Sequence, residues 1–205
     1  CIFQYWCASP CYNNIIRYNI NENDGGVSDS RGGIYVWNSS GDKDQFYDCL
    51  CYNNTVYNSK EAALSFSEKS ERKNFKFYNN IFVGKDSLIK GDKGVDTFLA
   101  NNWWSLTKRF NIDRIYDINT WAKESGQEMF DGKLYGLNIK PRFRDPGNSK
   151  LVQISGVQSC SKYKIPANSE LYNRGLDLRK LYGIQTGGLD FNKNKAPVNG
   201  IGASF

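Results

Sequence analysis

The chain has 205 residues, 40% of them apolar and 15% aromatic, which is enough for one domain with a sizeable core. It carries a net charge of +6 and no histidine, so imidazole acid–base chemistry and histidine-ligated zinc are excluded. No apolar run approaches the roughly 18 residues of a membrane span, and no signal-peptide pattern opens the sequence. A mature form, an excised domain or a fragment is expected.

Low mean hydropathy, abundant Asn, Gly and Tyr, and few long aliphatic runs point to an all-β chain of many short strands. The charge is uneven. Residues 1–100 hold 11 Lys and Arg against 12 Asp and Glu, whereas 101–205 hold 16 against 9. A basic second half can attract polyanions, but scattered surface cations give the same balance, and no RNA- or DNA-binding motif is present.

The opening "CIFQYW" suits a chain cut within a domain better than a lipid-anchored Cys1. Cys7 and Cys11 are near neighbours, Cys49 and Cys51 fall on one face of a strand, and Cys160 stands apart. Disulfides, buried thiols and an all-thiolate site all fit these spacings.

Four asparagine pairs follow: "YNNII" at Asn14, "YNNTV" at Asn54, "YNNIF" at Asn80 and "ANNWW" at Asn102, spaced by 40, 26 and 22 residues. Such spacing signals a repeat architecture. Alternating runs such as Ile34 and Val36 against Tyr35 and Trp37 read as half-buried strands. The intervals are too long for two-residue hairpins and hold no convincing crossover helix, so stacked parallel strands remain. In such a coil an Asn at equivalent bends can bond the amides above and below, and Asn tolerates the left-handed backbone of a sharp corner. "NSS" at Asn38 and "NNT" at Asn53 are N-glycosylation sequons.

The loop "NENDGGVSDSRGG" brings Asn23, Asp24, Asp29 and Arg31 between two strands, and "SGDKDQ" adds Asp42, Lys43 and Asp44 after the next one. Asp24 before two glycines is equally a turn signal. With no histidine, sugar chemistry would use a carboxylate pair for hydrolysis, or a Lys, Arg or Tyr base with a cation such as calcium for β-elimination. Asp24, Asp29, Arg31 and Lys43 are therefore the catalytic candidates. Asn23, Tyr35, Trp37, Asp42 and Asp44 are the substrate-binding ones, with the outward aromatics placed to stack on sugar rings. No metal-ligating set is assigned.

Beyond Trp104 the repeat stops. "DINTWAKESGQE" reads as a short helix capped by Asp117 or Asn119 and ended by Gly126, followed by loops dense in Gly, Pro, Asn and Asp. Residues 1–104 are expected to form the coils. Residues 105–205 are expected to form an irregular cap on the same domain, because a solenoid must cover its open end.

The repeats "YNNIIRYNINENDGG", "IYVWNSS", "YNNTVYN" and "FYNNIFVG", with the tail motifs "TWAKESGQE", "PRFRDPGN", "NSELYNRGLDL" and "GGLDFNKNKAPVNGIGA", resemble the later turns and C-terminal tail of secreted bacterial right-handed parallel β-helix proteins. The resemblance covers most of the chain. It implies an extracytoplasmic protein that cleaves or binds a polysaccharide, with lyases and glycoside hydrolases the commonest activities, and part of any active site in preceding turns; the oligomeric state is open, a monomer being favoured. A non-catalytic surface adhesin or structural solenoid is the alternative.

Overall fold

The computed structural model describes residues 2–5, 10–24, 31–38, 42–67, 71–91, 96–149 and 160–205, the first of these and Lys43 as backbone only. Its strands fall into several parallel sheets with few helices. One sheet stacks β1 (Ile2–Tyr5), β5 (Ile34–Asn38), β9 (Leu64–Phe66) and β12 (Ile89–Lys90). A second stacks β3 (Ile15–Arg17), β7 (Leu50–Tyr52), β10 (Lys76–Tyr78) and β13 (Thr97–Leu99). A third stacks β4 (Ile20–Glu22), β8 (Thr55–Tyr57), β11 (Ile81–Gly84) and β14 (Asn102–Ser105). From β3 onward the chain visits second, third and first sheet in that order, and each circuit lays its strands in register on those before. Between the first and second sheets, β2 (Cys11–Tyr12) pairs in parallel with β6 (Phe46–Tyr47).

Alternation along each strand sorts the side chains. In β5, Ile34 and Val36 are buried while Tyr35 and Trp37 are half-buried on the outside, as their spacing predicts. Inward residues of successive circuits stack: Phe77 lies on Phe98 with centroids 5.0 Å apart, and Phe82 on Trp103 at 4.6 Å. Past β14 this interior is closed by α1 (Ile118–Ser125), whose Trp121 meets Trp103 at 5.7 Å and Phe110 at 5.9 Å. Asp117 caps the helix through Thr120 N and Gly126 ends it at φ 70°, the two signals legible in the sequence. The Arg72 guanidinium, buried with its head 3.9 Å over the Phe66 ring, grips the buried Asp96 carboxylate through two nitrogens.

The asparagine pairs divide their labour. The first member turns the corner: Asn53 and Asn79 have φ of 50° and 51°, and Tyr18 and Ala100 hold the equivalent places at 52° and 56°. The second member points inward. Asn54 Oδ1 accepts from Asn19 N and Nδ2, Asn80 Oδ1 from Asn54 N and Nδ2, and Asn101 Oδ1 from Asn80 N and Nδ2, at 2.9–3.1 Å. The ladder ends on Glu128, which accepts from Asn101 N at 3.0 Å, Asn101 Nδ2 at 2.8 Å and Trp103 Nε1 at 2.7 Å. Two of the four expected members are thus corrected. Asn19 and Asn101 stack where the dipeptide spacing predicts Asn14 and Asn102, because Tyr18 and Ala100 take corners that elsewhere carry an asparagine.

The first-member side chains face outward and hold the returning tail. Asn79 Oδ1 accepts from Leu176 N at 2.9 Å while its Nδ2 donates to Leu176 O at 2.9 Å, and Asn53 Nδ2 donates to Gly200 O at 2.7 Å. The tail includes a small antiparallel pair, β15 (Met129–Phe130) with β16 (Lys133–Leu134), and α2 (Leu178–Tyr182). It buries a second apolar layer, including Ile81, Val83, Leu171 and Ile201, outside the sheets. Asn79→Gly keeps the left-handed corner but deletes the clamp, so it is expected to cost about 1–3 kcal/mol. Denaturant titration reads the loss, and faster amide exchange at Leu176 localises it.

Both sequons are engaged in this framework. Asn38 and Asn53 are buried, and Asn38 Nδ2 donates to Asp42 O at 2.8 Å and Glu71 O at 2.6 Å. A glycan on either would displace these bonds.

Candidate functional site

The predicted loop residues flank β5 along the chain, Asn23 and Asp24 before it and Asp42 to Asp44 after it. Asn23 stands at a corner with φ 54°. Its Oδ1 accepts from Ser59 N at 2.8 Å and Ser59 Oγ at 3.0 Å, and its Nδ2 reaches Gly147 O at 3.4 Å, so the side chain joins coil to coil and coil to tail. The carbonyl of Asp24 accepts from Asn58 Nδ2 at 3.0 Å. Arg31 places its guanidinium carbon 5.2 Å from the Tyr35 ring centre, covering one aromatic face, and Trp37 lies two residues further along the same outer surface. Asp42 Oδ1 accepts from Asp44 N at 2.8 Å, which shapes the short 3-10 turn Lys43–Gln45. Asp44 pairs with Lys73 at 2.7 Å, and that ammonium also sits 5.0 Å from the Tyr47 ring centre. Asp29 and the Lys43 side chain lie outside what is described. Among the described residues, no three Cys, Asp or Glu side chains are grouped so as to hold a metal ion such as calcium.

Just before Asn23, Glu22 locks coil to tail. It accepts from Ser149 N at 2.8 Å, Ser149 Oγ at 2.7 Å and the Tyr163 hydroxyl. Burial pushes its carboxyl up, but the Tyr163 and Ser149 donors outweigh that and hold it below the usual carboxylate range. Burial and the Glu22 charge together push the Tyr163 phenol upward.

A more open arrangement lies where the tail folds back beside the Tyr18 corner. One cleft of about 550 Å³ is bordered by Tyr18, Arg179 and the Gln185–Gly188 loop, and a second of about 460 Å³ by Tyr172, Asn173 and Asn199. Residues 195–198 line both, so Lys195 to Val198 form a saddle between two adjoining clefts, together called the groove. These volumes fall within the usual range for ligand clefts.

The groove's walls are fixed from below. Arg17 Nη1 donates to Gln185 O at 2.8 Å and to Tyr52 Oη at 3.2 Å, fastening the loop to the coil. Gly187 and Gly188 both take left-handed backbone, φ 78° and 69°, which lets the loop bend over the guanidinium. The saddle is tied down by Ala196 N donating to Gly188 O at 2.9 Å. The Tyr18 phenol is pushed up to about 12, first by burial and then by Tyr52 beside it, and so stays protonated as a hydrogen-bonding group.

Charge here is positive. Asp177 spends its carboxylate capping α2 through Lys180 N at 2.9 Å, and Asp190 is buried, accepting from Asn194 N at 2.8 Å and Phe205 N at 2.9 Å. Arg179 and Lys195 have no carboxylate partner among the described residues. Val198 is 69% exposed on the saddle and Leu189 52% on the adjoining loop, so apolar surface lies beside the cations. Sequence reading missed this groove, since it joins residue 18 to residues 172–199. The basic excess of the second half is the one signal that pointed toward it.

Comparison with known proteins adds no relative: no family model matches the chain, and neither a curated protein nor a solved structure matches it significantly. None of the described helices is long and apolar enough to cross a membrane.

Proposed function

We propose that this chain is a right-handed parallel β-helix that acts outside the cytoplasm by binding an acidic polysaccharide along the groove over Lys195 to Val198. The repeated circuit through three parallel sheets supports the coil, and parallel strand crossovers are right-handed in about 98% of cases. The observation that carries the function is the groove itself: two clefts that share a saddle, with a tyrosine lining each and Arg179 and Lys195 beside them.

Each lining group has a use on a sugar chain. Tyr18, Tyr172 and the Val198 side chain offer apolar surface to the C–H faces of pyranose rings, at about 1 kcal/mol per good aromatic contact. Thr186, Gln185, Asn173 and Asn199 offer hydrogen bonds to hydroxyls, and Arg179 and Lys195 favour carboxylate-bearing units. A chain of several sugars suits a two-lobed trough better than a single small molecule does.

Affinity electrophoresis against polygalacturonate and dextran tests this reading. Retardation by the acidic polymer is expected, weakening with added salt. Arg179→Ala with Lys195→Ala is expected to weaken binding about tenfold or more while leaving the fold intact, because both side chains are exposed. If neither polymer retards the protein, the binding reading falls and a structural solenoid takes its place. Release of oligosaccharides by the wild type would instead return attention to Asp24, Asp29, Arg31 and Lys43.

A further inference from the structure

We infer that Cys11 and Cys49 form an oxidisable thiol pair, a modification site whose disulfide would join two neighbouring circuits of the coil. This inference does not depend on polysaccharide binding. The pairing of β2 with β6 sets Cys11 opposite Phe46, and that of β3 with β7 sets Ile15 opposite Leu50, which brings Asn14 level with Cys49. Both sulfurs converge on the Asn14 amide, whose Nδ2 donates to Cys11 Sγ at 3.0 Å and to Cys49 Sγ at 3.8 Å. Cys11 also packs against the apolar cluster that contains Cys49, and its thiol is near enough to act electrostatically on the Cys49 thiol. The register sets Cys11 against Phe46, so the two cysteines lie one layer and one corner apart, and it is the shared Asn14 amide rather than direct strand pairing that brings their sulfurs together.

The two thiols differ in access, which gives each a role. Cys11 is half-buried and reachable, while Cys49 is 2% exposed. Burial pushes the Cys49 thiol up to about 11, so it resists direct attack on a solvent oxidant and acts second, as the resolving thiol. The oxidant is a disulfide, either a small molecule such as oxidised glutathione or a protein oxidant. The Cys11 thiolate attacks one sulfur of that disulfide and expels the other as a thiol, leaving a mixed disulfide on Cys11. Cys49 then attacks Cys11 Sγ, the Cys11–Cys49 bond forms, and the second half of the oxidant leaves as a thiol. Two protein thiols are oxidised, one disulfide is reduced to two thiols, and both cysteine protons end on the products. Cys51 and Cys160 are placed differently: Cys51 Sγ accepts from Asn54 Nδ2 at 3.3 Å inside the coil, and Cys160 lies in the tail near Glu22.

The full chain is exposed to oxidised glutathione under native conditions, unfolded in excess alkylating agent and digested without reduction for mass spectrometry. A peptide pair linked through Cys11 and Cys49, lighter by two hydrogens, is expected, with Cys51 and Cys160 alkylated. Cys49→Ser should trap glutathione on Cys11, whereas Cys11→Ser should leave Cys49 alkylated and free of glutathione. The oxidised wild type should melt roughly 5–10 °C higher than the reduced form, and reduction should reverse the gain. Recovery of Cys49 as the alkylated thiol from the treated wild type overturns the inference, whether Cys11 is then unmodified, glutathionylated or linked to Cys1 or Cys7.

Discussion

Asn80→Ala is expected to remove about 3–5 kcal/mol of stability, a large part of the 5–15 kcal/mol that holds a typical domain folded. Asn80 is fully buried, and its carboxamide serves three neighbours at once. Oδ1 accepts from Asn54 N at 2.9 Å, and Nδ2 donates to Cys51 O at 2.9 Å and to Asn101 Oδ1 at 3.0 Å. Alanine strands the Asn54 N–H where water does not reach, at about 1–3 kcal/mol, and takes one partner each from the Cys51 carbonyl and the Asn101 amide oxygen. Asn80→Asp is nearly isosteric and separates shape from hydrogen bonding. Its carboxylate cannot donate to Cys51 O and faces Asn101 Oδ1, so it should be as damaging as alanine at pH 7 and partly recover once protonated. Asn19 is the exposed start of the ladder, its Nδ2 donating to Asn54 Oδ1 and to Arg17 O, so Asn19→Ala should cost under about 1 kcal/mol. Equal losses for Asn80→Ala and Asn19→Ala in urea titrations would sink the ladder as a source of stability.

The other end of that ladder sets the pH response. Glu128 is fully buried, and burial pushes its carboxyl from the usual 4.5 up to about 7 against the opposing hydrogen bonds from Asn101 and Trp103. The folded state therefore holds a proton that the unfolded chain has released between about pH 4.5 and 7. Over that window stability falls as pH rises, and above pH 7 the penalty is constant. At 1.36 kcal/mol per pH unit the expected loss between pH 5 and pH 8 is about 3 kcal/mol. Other carboxylates act oppositely at lower pH: Asp86, Asp117 and Asp145 are held below their usual range, chiefly by hydrogen bonds from Thr107, Thr120 and Asn148, and they favour folding only once ionised. Glu128→Gln is neutral at every pH, but its amide must turn one N–H toward the Asn101 N–H. It should be less stable than the wild type at pH 5 by about 1–3 kcal/mol and should lose the slope between pH 5 and 8. Denaturant midpoints for both proteins across that range give the answer. Parallel curves would exclude Glu128 as the titrating group.

Local signals were legible where the deciding physics is local. The alternation of Ile34 to Asn38, the Asp117 cap and the Gly126 stop each depend on a few consecutive residues, and each appears as read. The asparagine dipeptides gave the corners and the parallel stacking but not the full register, since a corner needs left-handed backbone and not an asparagine side chain. Tyr18 and Ala100 supply that backbone without the expected residue. The predicted loop site reads differently in three dimensions because Asn23, Arg31 and Asp44 meet Ser59, Tyr35 and Lys73, pairings that no spacing rule announces. The buried pair of Arg72 with Asp96 and the groove over Lys195 were illegible for the same reason.

The division of the asparagine pairs also imposes a timetable on synthesis. Inward members join residues 21 to 35 apart, whereas outward members and the neighbouring Thr55 reach across 97 residues to Leu176, 147 to Gly200 and 148 to Ala203. A ribosome adding about 5–20 residues per second needs roughly 5–20 s to travel from the last coil strand to the final tail contacts. During that interval nascent coils can close on themselves while Tyr52, Tyr78 and Ile81 still lack their cover. Molecules caught at this stage would present sticky flanks to one another, which makes the yield of active protein a question of translation speed and holdase supply as much as of final stability.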